Sequence, residues 1–323
     1  MKSRHEITPQ QHRGPFGPPY GNVVVDGEIV DEDDARVSVN ATVVSYGLGT
    51  FEGIRAFWNA DRGQLFLSEA VGHFDRLGRS ARMLGLDFPY TTEQLVSFTK
   101  DLLVANDVKV DAYVRPIYFL AGEVLPVRMH DITPRLAIAC HPIPGDYVSL
   151  QGVRCMVSSW RRQPDASTPV RAKVIGSYVG PALAKTEAVR CGFDEAILLT
   201  HDGFVAEATT SNVMIKAGGR WHTPAGTDDI LLGITRAQVM AMIAETTGET
   251  VVERRIHRSE LYVAEEALLC GTAATVGPIV SVDGRSVGNG RPGEQTGALR
   301  DVLRAIARRT DERHPEWSTS VYE

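Results

Sequence analysis

The sequence has few cysteines and no long apolar run. Its four cysteines, at positions 140, 155, 191 and 270, show no CxxC or other metal-ligand spacing. We therefore expect no metal site, and a reduced, cytoplasmic protein is the simplest interpretation. No stretch approaches the roughly 18 to 20 apolar residues of a membrane-spanning helix. The N-terminal segment lacks the apolar centre of a signal peptide, so no membrane partner is predicted.

Positive charge is not in excess. The chain carries 34 lysines and arginines against 40 aspartates and glutamates, a formal net charge of -6. A general nucleic-acid-binding protein would present a basic face, so this acidic balance argues against that class. What is present is an ordinary globular composition, 43% hydrophobic and 23% charged, over 323 residues. That length allows two domains or one large domain.

Composition divides the chain into four parts. Residues 1–20 are polar and rich in proline and glycine, which predicts a loosely held arm. Residues 144–152, PGDYVSLQG, have the character of a linker. We expect one block of helices and strands over 21–143 and a second over 153–323.

Turn signals between β-branched runs predict hairpins in both blocks. Asp26-Gly27 divides the apolar runs of NVVVDGEIV (22–30), and a similar pattern recurs over 279–287. Apolar periodicity predicts helices over 68–84, 92–105, 177–190 and 233–248, a short helix capped by Ser259, and a final helix around 299–306. Strands are expected over 112–122, 135–143, 155–160 and 267–270, with two or three more within 194–222. The antiparallel hairpins favour an α+β fold over a doubly wound parallel sheet.

Lysine is scarce, with six lysines against twenty-eight arginines. One of the six, Lys173 in RAKVIGSY (171–178), lies in an apolar run between Ala172 and Val174-Ile175. It is either a solvated surface lysine or an amine held in a pocket. Burial would disfavour the ammonium form and so make the amine a nucleophile at neutral pH. Apolar neighbours permit such burial without demonstrating it.

Other segments contain groups that could hold an anion or a ring nitrogen. Glu207, in FVAEATTSN, is either a carboxylate aimed at a protonated nitrogen or an ordinary glutamate on a wet strand end. In LLGITR (231–236), Gly233 begins a helix whose free N–H groups could bind an anion. The alternative is a plain glycine entry with Thr235 as the cap. CGTAA (270–274) is small enough for a ligand to approach its backbone, or it is simply a tight turn.

Two arginines give different signals. Arg76 lies about 200° around its helix from Phe74, off the apolar stripe, which predicts a surface arginine. Arg115, in YVRP, lies inside a predicted strand, where an unpaired charge is costly. It needs either an ion-pair partner or an anionic ligand. Together, an amine, a carboxylate, an anion-binding helix terminus and arginines suit a phosphorylated aldehyde cofactor.

The chain as a whole resembles a known family, the class IV pyridoxal-phosphate (PLP) aminotransferases, and among them the branched-chain amino acid aminotransferases most closely. The likeness runs from about Val23 to Gly293. The matching blocks are SYGLGTFEGIRAF (45–57), HFDRLGRSA (73–81), YVRP (113–116), VSSWRR (157–162), AKVIGSY (172–178), AKTEAVRCGFDEAILL (184–199), DGFVAEATTSNVMI (202–215), LLGITR (231–236), ELYVAEEALLCGTAATVGPI (260–279) and VDGRSVGNGRPG (282–293).

The resemblance implies a role for each matching residue. Lys173 would be the catalytic residue, forming the Schiff base and moving a proton between Cα and C4′. Glu207 would pair with the pyridine nitrogen, and Tyr178 would hydrogen-bond the phenolic oxygen. The remaining cofactor-binding residues, most of them at the phosphate, would be Arg76, Leu231, Gly233, Ile234, Thr235 and Thr272. The substrate pocket would be lined by Tyr46, Phe51, Tyr113, Arg115 and Ala273.

The resemblance also implies a fold, a reaction and an assembly. The fold would be the two-domain fold type IV, with a smaller N-terminal α/β domain over 21–143 and a larger PLP-binding domain over 153–323 with a mixed, hairpin-rich sheet. The reaction would be ping-pong transamination between an L-amino acid, with a branched-chain aliphatic side chain first, and 2-oxoglutarate. Part of the pocket would come from a neighbouring subunit, which implies a homodimer or a higher homo-oligomer.

Some segments depart from the family pattern and leave the substrate open. Val174, Ile175 and Ser177 replace small residues after the lysine, and ATTSN (208–212) follows Glu207. The loop EVLPVRMHD (123–131) adds Arg128 and His130, which face either a polar substrate group or solvent. The alternatives are a class IV aminotransferase for D-amino, aromatic or specialised amino acids, a 4-amino-4-deoxychorismate lyase-like enzyme, or a non-catalytic binding protein with this fold.

Overall fold

The computed structural model describes residues 16–143 and 145–322; Met1 to residue 15, most of the expected arm, lie outside the described part. Within it are six α-helices: α1 Thr42–Tyr46, α2 Ala70–Met83, α3 Thr92–Ala105, α4 Val179–Arg190, α5 Ile234–Thr247 and α6 Glu294–Ala307. Short 3-10 helices cover Gly176–Tyr178, Arg258–Tyr262 and Pro315–Trp317. The seventeen strands are β1 Asn22–Val25, β2 Glu28–Asp31, β3 Gly49–Phe51, β4 Ile54–Asn59, β5 Gln64–Ser68, β6 Ala112–Leu120, β7 Pro134–Pro142, β8 Val153–Arg161, β9 Glu195–Leu199, β10 Val205–Ala208, β11 Asn212–Ala217, β12 Arg220–Thr223, β13 Val252–Glu253, β14 Glu266–Gly271, β15 Thr275–Val282, β16 Arg285–Ser286 and β17 Ser318–Ser320.

The first sheet has eight antiparallel strands in the order β17-β5-β4-β6-β7-β1-β2, with β3 also paired to β6. Strands β3 and β4 pair with successive stretches of β6, and the chain bends between them at Glu52-Gly53. The apolar faces of α2 and α3 pack with this sheet in one core that includes Phe74, Leu77 and Leu102. The last strand, β17, returns to pair with β5, so the sheet contains both the first and the last strand of the described residues.

The second sheet is mixed, and part of it closes into a barrel. Its nine strands run β10-β9-β8-β15-β14-β11-β12-β13, with β16 beside β15. Strand β8 runs parallel to both β15 and β9. A further pairing of β10 with β11, through Glu207 opposite Asn212, closes six of the strands into a barrel. Helix α4 packs outside on β8 and β9 through small residues such as Ala184 and Ala188.

The predicted hairpin and helix signals are largely confirmed. Asp26 and Gly27 both have positive φ, +52° and +97°, the conformation that a two-residue hairpin turn requires. Helix α3 begins after a Thr91 capping box, and α5 ends at Gly248 with φ +73°. The α+β class is confirmed, because hairpin-rich antiparallel pairing dominates both sheets.

Several local predictions were wrong or incomplete. Helix α2 begins at Ala70 rather than residue 68, after Glu69 in a left-handed conformation. The helix near residue 259 is capped by His257, not by Ser259. The segment 194–222 forms four strands, and the short strands of residues 49–68 were not predicted because their apolar residues show no regular alternation. The division into domains at 144–152 stays a prediction.

The described end of the expected arm contacts the first sheet. The Gly17 N–H donates to the Pro142 carbonyl over 2.9 Å. The Phe16 ring lies edge-on to Tyr113, with the ring centroids 5.1 Å apart. Residues 16–20 are therefore held against the same sheet that carries several predicted substrate residues.

Candidate active site

The nine residues predicted to bind the cofactor line one cleft. They come from α2, from the segment after β8, from the ends of β10 and β14, and from the first turn of α5. These residues are Arg76, Lys173, Tyr178, Glu207, Leu231, Gly233, Ile234, Thr235 and Thr272. Segments that are far apart in sequence thus converge on a single site.

Lys173 lies at the centre of the cleft, and its amine points at a hydroxyl group. Nζ donates to Tyr178 Oη over 2.6 Å. The ammonium also lies 4.8 Å from the centroid of the Phe51 ring, which packs edge-on against Tyr178. An aromatic wall on one side and a hydroxyl on the other orient the amine without a carboxylate partner among the described residues.

The backbone around Lys173 is tied to the first sheet. Its carbonyl accepts from the Phe51 N–H over 3.0 Å, and its N–H donates to Ser80 Oγ of α2 over 3.1 Å. Val174 forms an isolated antiparallel bridge with Thr50. The apolar residues after the lysine thus serve to dock this segment on β3, and the alternative of a freely solvated lysine is wrong.

Glu207 is buried, so the alternative of a glutamate on a wet strand end is also wrong. Its Oε2 accepts from Asn212 Nδ2 and from the Leu231 N–H, both over 3.1 Å. Arg162 Nε lies 2.7 Å from Oε1, but its N–H is poorly directed at the oxygen, so this contact is chiefly one of charge. Burial raises the pKa of Glu207, and the Arg162 charge with the Leu231 N–H offsets this only in part.

Asn212 connects the carboxylate to the anion-binding helix. It stands directly opposite Glu207 in the β10–β11 pair, so the two side chains meet. Its amide also donates to the Leu231 carbonyl over 2.9 Å. A Cβ at Gly233 would lie 2.1 Å from Asn212 Oδ1, which is why a residue without a side chain is needed there. Glu207, Asn212 and the start of α5 therefore form one rigid unit.

Helix α5 presents unpaired backbone donors to the cleft. The N–H groups of Ile234 and Thr235 lie in its first turn, where no earlier carbonyl of the helix can accept them. Gly233 is the N-cap, and neither it nor Thr235 caps the helix through a side chain. The helix dipole adds to this arrangement, so the start of α5 suits an anion.

Arg76 is buried, and the prediction from periodicity that it lies on the surface was wrong. Its Nε and Nη2 donate to the two oxygens of Glu52 over 2.6 and 2.8 Å, and Nη1 donates to the Leu232 carbonyl over 2.9 Å. His73 Nδ1 lies 2.8 Å from the same carboxylate. Three of the five guanidinium N–H groups are thus occupied, and two are left for a ligand at the cleft.

Glu52 is fully buried and ionised because of these partners. Burial alone would raise its pKa, but the Arg76 guanidinium and the His73 ring hold the pKa of Glu52 far below its ordinary range. For His73, burial disfavours the charged ring and lowers its pKa, although the Glu52 charge acts in the opposite direction. His73 Nε2 lies 3.5 Å from the Thr272 hydroxyl, so this network also reaches the turn after β14.

Three predicted substrate residues lie beside Lys173. The Arg115 guanidinium stacks 4.7 Å from the centroid of the Phe51 ring, and Arg115 Nη2 donates to Tyr113 Oη over 3.2 Å. Burial raises the pKa of Tyr113, so its hydroxyl stays a proton donor. Among the described residues no carboxylate pairs with Arg115, so the alternative of a structural ion pair is wrong.

None of the five predicted substrate residues is among those that line the cofactor cleft, and the other two, Tyr46 and Ala273, make contacts elsewhere. Tyr46 is 38% exposed, and its hydroxyl donates to the Leu125 carbonyl over 2.5 Å. Ala273 lies in the turn after Thr272, and its carbonyl accepts from Arg55 over 3.1 Å. In the loop beside Tyr46, Arg128 lies 3.9 Å from Asp131, and the exposed His130 lies at the same distance from that carboxylate.

Several residues of the site were not predicted from the sequence. Glu52 contacts Arg76, His73 contacts Thr272, and Arg162 and Asn212 both contact Glu207. Glu52 and Arg162 fall inside the quoted blocks 45–57 and 157–162, but no local pattern distinguishes a buried carboxylate from an exposed one. Only the contacts in the folded chain reveal them.

Within residues 16–143 and 145–322, no three histidine, cysteine, aspartate or glutamate side chains are grouped so that they could hold a metal ion. None of the helices found there has the length and apolar character needed to cross a membrane.

Comparison with known proteins is consistent with this geometry. The family model described as amino-transferase class IV matches residues 49–282. A probable branched-chain-amino-acid aminotransferase of Aquifex aeolicus (strain VF5) is 41% identical over 298 residues, 92% of this chain and 96% of that protein. The solved branched-chain aminotransferase of Thermoproteus uzoniensis with norvaline superposes with a TM-score of 0.89 at 38% identity, covering 94% of this chain and 100% of the other. The holo, PLP-form structure from Thermobaculum terrenum has a TM-score of 0.89 at 31% identity, covering 94% and 99%.

Proposed function

Because this chain belongs to the class IV aminotransferases, whose cofactor is PLP, we propose that it transfers amino groups between branched-chain L-amino acids and 2-oxoglutarate. The observation that carries the proposal is the position of Lys173. Its amine lies 2.6 Å from the Tyr178 hydroxyl in a cleft that also contains Glu207 and the start of α5. The substrate class is supported by relatives that are named branched-chain aminotransferases and match nearly the whole chain.

The residues of the cleft fit PLP by their chemistry. An aldehyde carbon needs an amine, which Lys173 offers. A protonated ring nitrogen needs a carboxylate, which Glu207 offers. Among the described residues, the only group near its Oε1 that could donate a hydrogen bond is the poorly directed Arg162 N–H. A phosphate needs N–H donors and positive charge, which the first turn of α5 and Arg76 supply. Because Asn212 contacts both Glu207 and Gly233, the carboxylate and the start of α5 are held at a fixed separation.

The bound cofactor supplies an electron-withdrawing ring that stabilises negative charge at the substrate Cα. Lys173 binds the cofactor covalently between turnovers and otherwise moves the proton at the substrate Cα. Tyr178 hydrogen-bonds the amine and fixes its direction. Arg162, Asn212 and the Leu231 N–H favour the charged form of Glu207 against the effect of burial, and that charge favours a protonated ring nitrogen.

Phosphate binding is assigned to Arg76, to the first turn of α5 and to Thr272. Glu52 orients the guanidinium through two hydrogen bonds, and the two N–H groups left over are available to the phosphate. The phosphate takes no part in the reaction. Held by these residues, it would keep the cofactor anchored beside Lys173.

Substrate binding is assigned to the surface around Phe51. The ring forms an apolar wall beside Lys173, which suits an aliphatic side chain. Arg115, stacked on the same ring, offers a cation that suits the distal carboxylate of 2-oxoglutarate. One pocket can therefore accept both partners of a ping-pong reaction.

A homodimer forms part of the proposal. Apolar side chains are exposed on α1, just before it and on the loop beside it: Val39 is 81%, Val44 59%, Leu125 80% and Val127 73% exposed. Tyr46, a predicted substrate residue, lies among them and hydrogen-bonds Leu125. A second copy covering this face would bury the apolar surface and bring Tyr46 to the substrate pocket of that copy.

We also propose a cytoplasmic location, since all four cysteines are free thiols.

A half-reaction screen tests the proposed function. The holoenzyme is mixed with single amino acids, and the cofactor absorbance and the 2-oxo acid are followed. L-Leucine, L-isoleucine or L-valine should convert the cofactor, and addition of 2-oxoglutarate should restore it with formation of glutamate. Conversion only by D-amino acids or aromatic amines would contradict the substrate class, and pyruvate release without an acceptor would indicate a lyase.

The role of Lys173 has a separate test. Lys173→Ala should lose both turnover and the absorbance of covalently bound cofactor, while Lys100→Ala, on α3 outside the cleft, should keep both. Covalent cofactor in Lys173→Ala would remove the assignment.

A further inference from the structure

A second cleft lies outside the active site, where the end of the first block meets α6. It is open to solvent and has a volume of about 500 Å³, within the range of small-molecule sites. Strand β4, the loop before β6, the segment after β7 and helix α6 enclose it. Its polar lining consists of Arg55, Lys109, Asp111, Asp146, Arg304 and Arg308, around the ring of Phe57.

Positive charge is in excess in this cleft. Arg55 and Arg308 share one carboxylate, Asp111, whose other oxygen already accepts the Trp58 N–H over 2.9 Å. Both guanidiniums lie against the Phe57 ring, 4.7 and 5.2 Å from its centroid. One positive charge beside an apolar surface is therefore without a matching negative charge.

The cations at the rim can exchange their partners at little cost. Arg304 pairs with Asp146, and Lys109, whose side chain is 58% exposed, pairs with Asp107. The Lys109–Asp107 pair is exposed, and the Arg304–Asp146 pair is partly exposed, with side chains 24% and 33% exposed, so solvent weakens both pairs. A ligand can therefore take the place of these carboxylates.

Arg55 links the cleft to the active site. Its side chain is 7% exposed, and its Nε is buried without a hydrogen-bond partner. Its Nη1 donates to the carbonyl of Ala273, in the turn that also carries the cofactor-binding Thr272. Burial lowers the pKa of Arg55 to about 10 despite the attraction of Asp111, so the guanidinium stays charged but lacks full compensation.

We propose that this cleft binds a small dianion, a dicarboxylate or a phosphate, between Arg55 and Arg308 inside and Arg304 and Lys109 at the rim. The ligand draws Arg55 toward the cleft and weakens its hold on the Ala273 carbonyl. The turn after β14 then loosens, and the affinity of the active site for its amino acid falls. This coupling rests on the proposed function, whereas the binding site itself does not.

Binding is measured by isothermal titration of the holoenzyme, in which PLP already fills the phosphate site. The probes are inorganic phosphate and succinate, which separate phosphate from dicarboxylate recognition. We expect saturable binding of at least one probe, weakened at least about tenfold in Arg304→Gln/Arg308→Gln. Arg304→Gln alone, at the half-exposed rim, should give a smaller loss and guards against misfolding of the double variant. Arg300→Gln lies one turn earlier on α6, outside the cleft, and should bind like the wild type.

Coupling is measured as the KM for the amino donor with and without the probe that binds. We expect KM to rise about fivefold with kcat nearly unchanged, and the rise should disappear in the double variant but persist in Arg300→Gln. No saturable binding of either probe, or equal binding in the double variant, would overturn the site. Binding without a change in KM would overturn the link through Arg55. A protein that binds the probe but transfers no amino group would overturn the proposed function alone.

Discussion

Replacing Arg162 by methionine tests how the buried Glu207 keeps its charge. The two side chains are 9% and 11% exposed, with 2.7 Å between Arg162 Nε and Glu207 Oε1. Removing one partner of a buried ion pair usually costs about 3–5 kcal/mol, because the remaining charge is left uncompensated. Glu207 can avoid part of this cost, since a carboxylate can take up a proton.

Protonation of Glu207 sets an upper limit on the unfolding free energy that Arg162→Met can remove. A carboxyl group with an ordinary pKa of 4.5 can be protonated at pH 7 for about 3.4 kcal/mol, at about 1.36 kcal/mol per pH unit. The pKa of wild-type Glu207 is already raised by burial, so part of this cost is present before the substitution. We therefore expect Arg162→Met to lower the free energy of unfolding of the cofactor-free protein by about 2–3 kcal/mol at pH 7.

The loss should depend on pH. Because its folded-state pKa is raised, Glu207 holds a proton in the folded protein that the unfolded chain releases, and stability falls as pH rises above 4.5. At pH 5 the ceiling is only about 0.7 kcal/mol, since the unfolded carboxyl is then partly protonated too. Chemical denaturation at pH 5, 6 and 7 measures this trend.

The matched control is Arg161→Met, the exposed last residue of β8 directly before Arg162, which should change stability by less than about 0.5 kcal/mol. If Glu207 faces a protonated ring nitrogen as proposed, saturating PLP adds a second positive charge, and the loss caused by Arg162→Met should shrink. A loss that is the same at pH 5 and pH 7 would refute the reasoning, because it would reflect lost packing instead of an uncompensated charge.

Two other substitutions test the support of the phosphate site. Glu52→Gln should lower the free energy of unfolding by about 3 kcal/mol at pH 7 and weaken PLP binding about tenfold, since it leaves a buried guanidinium unpaired. The pKa of Glu52 is lowered in the folded state, so its contribution to stability is present above pH 4.5, and in denaturation below that pH the difference from wild type should narrow. The control Glu28→Gln, at an exposed position, should change neither stability nor PLP binding. Gly233→Ala should weaken PLP binding at least about tenfold by displacing Asn212, measured by equilibrium titration of the cofactor. Gly297→Ala, inside α6 with open space around its Cα, should instead stabilise the protein by about 0.5–1 kcal/mol, and a similar result at both glycines would contradict the steric argument.

The local elements were predictable because their signals are short in range. Asp26-Gly27 supplies the positive φ of a tight hairpin, and Thr91 with Gln94 closes a capping box at the start of α3. Such signals depend on residues within about four positions of one another. The strands around Glu52-Gly53 gave no such signal, because they pair with β6, about sixty residues later in the chain.

The sequence by itself determined the longer helices and the hairpins, the α+β class and, through the resemblance of ordered blocks, nine of the residues that line the cleft. The tertiary structure alone decided which charges are buried. Arg76 is off the apolar stripe of α2 yet buried, because Glu52 comes from β3–β4 to meet it. Glu207 stays in the interior because Arg162, directly after β8, and Asn212, on β11, contact it. A charged side chain is stable inside a protein only with a partner, and partners from distant strands leave no mark in the local pattern.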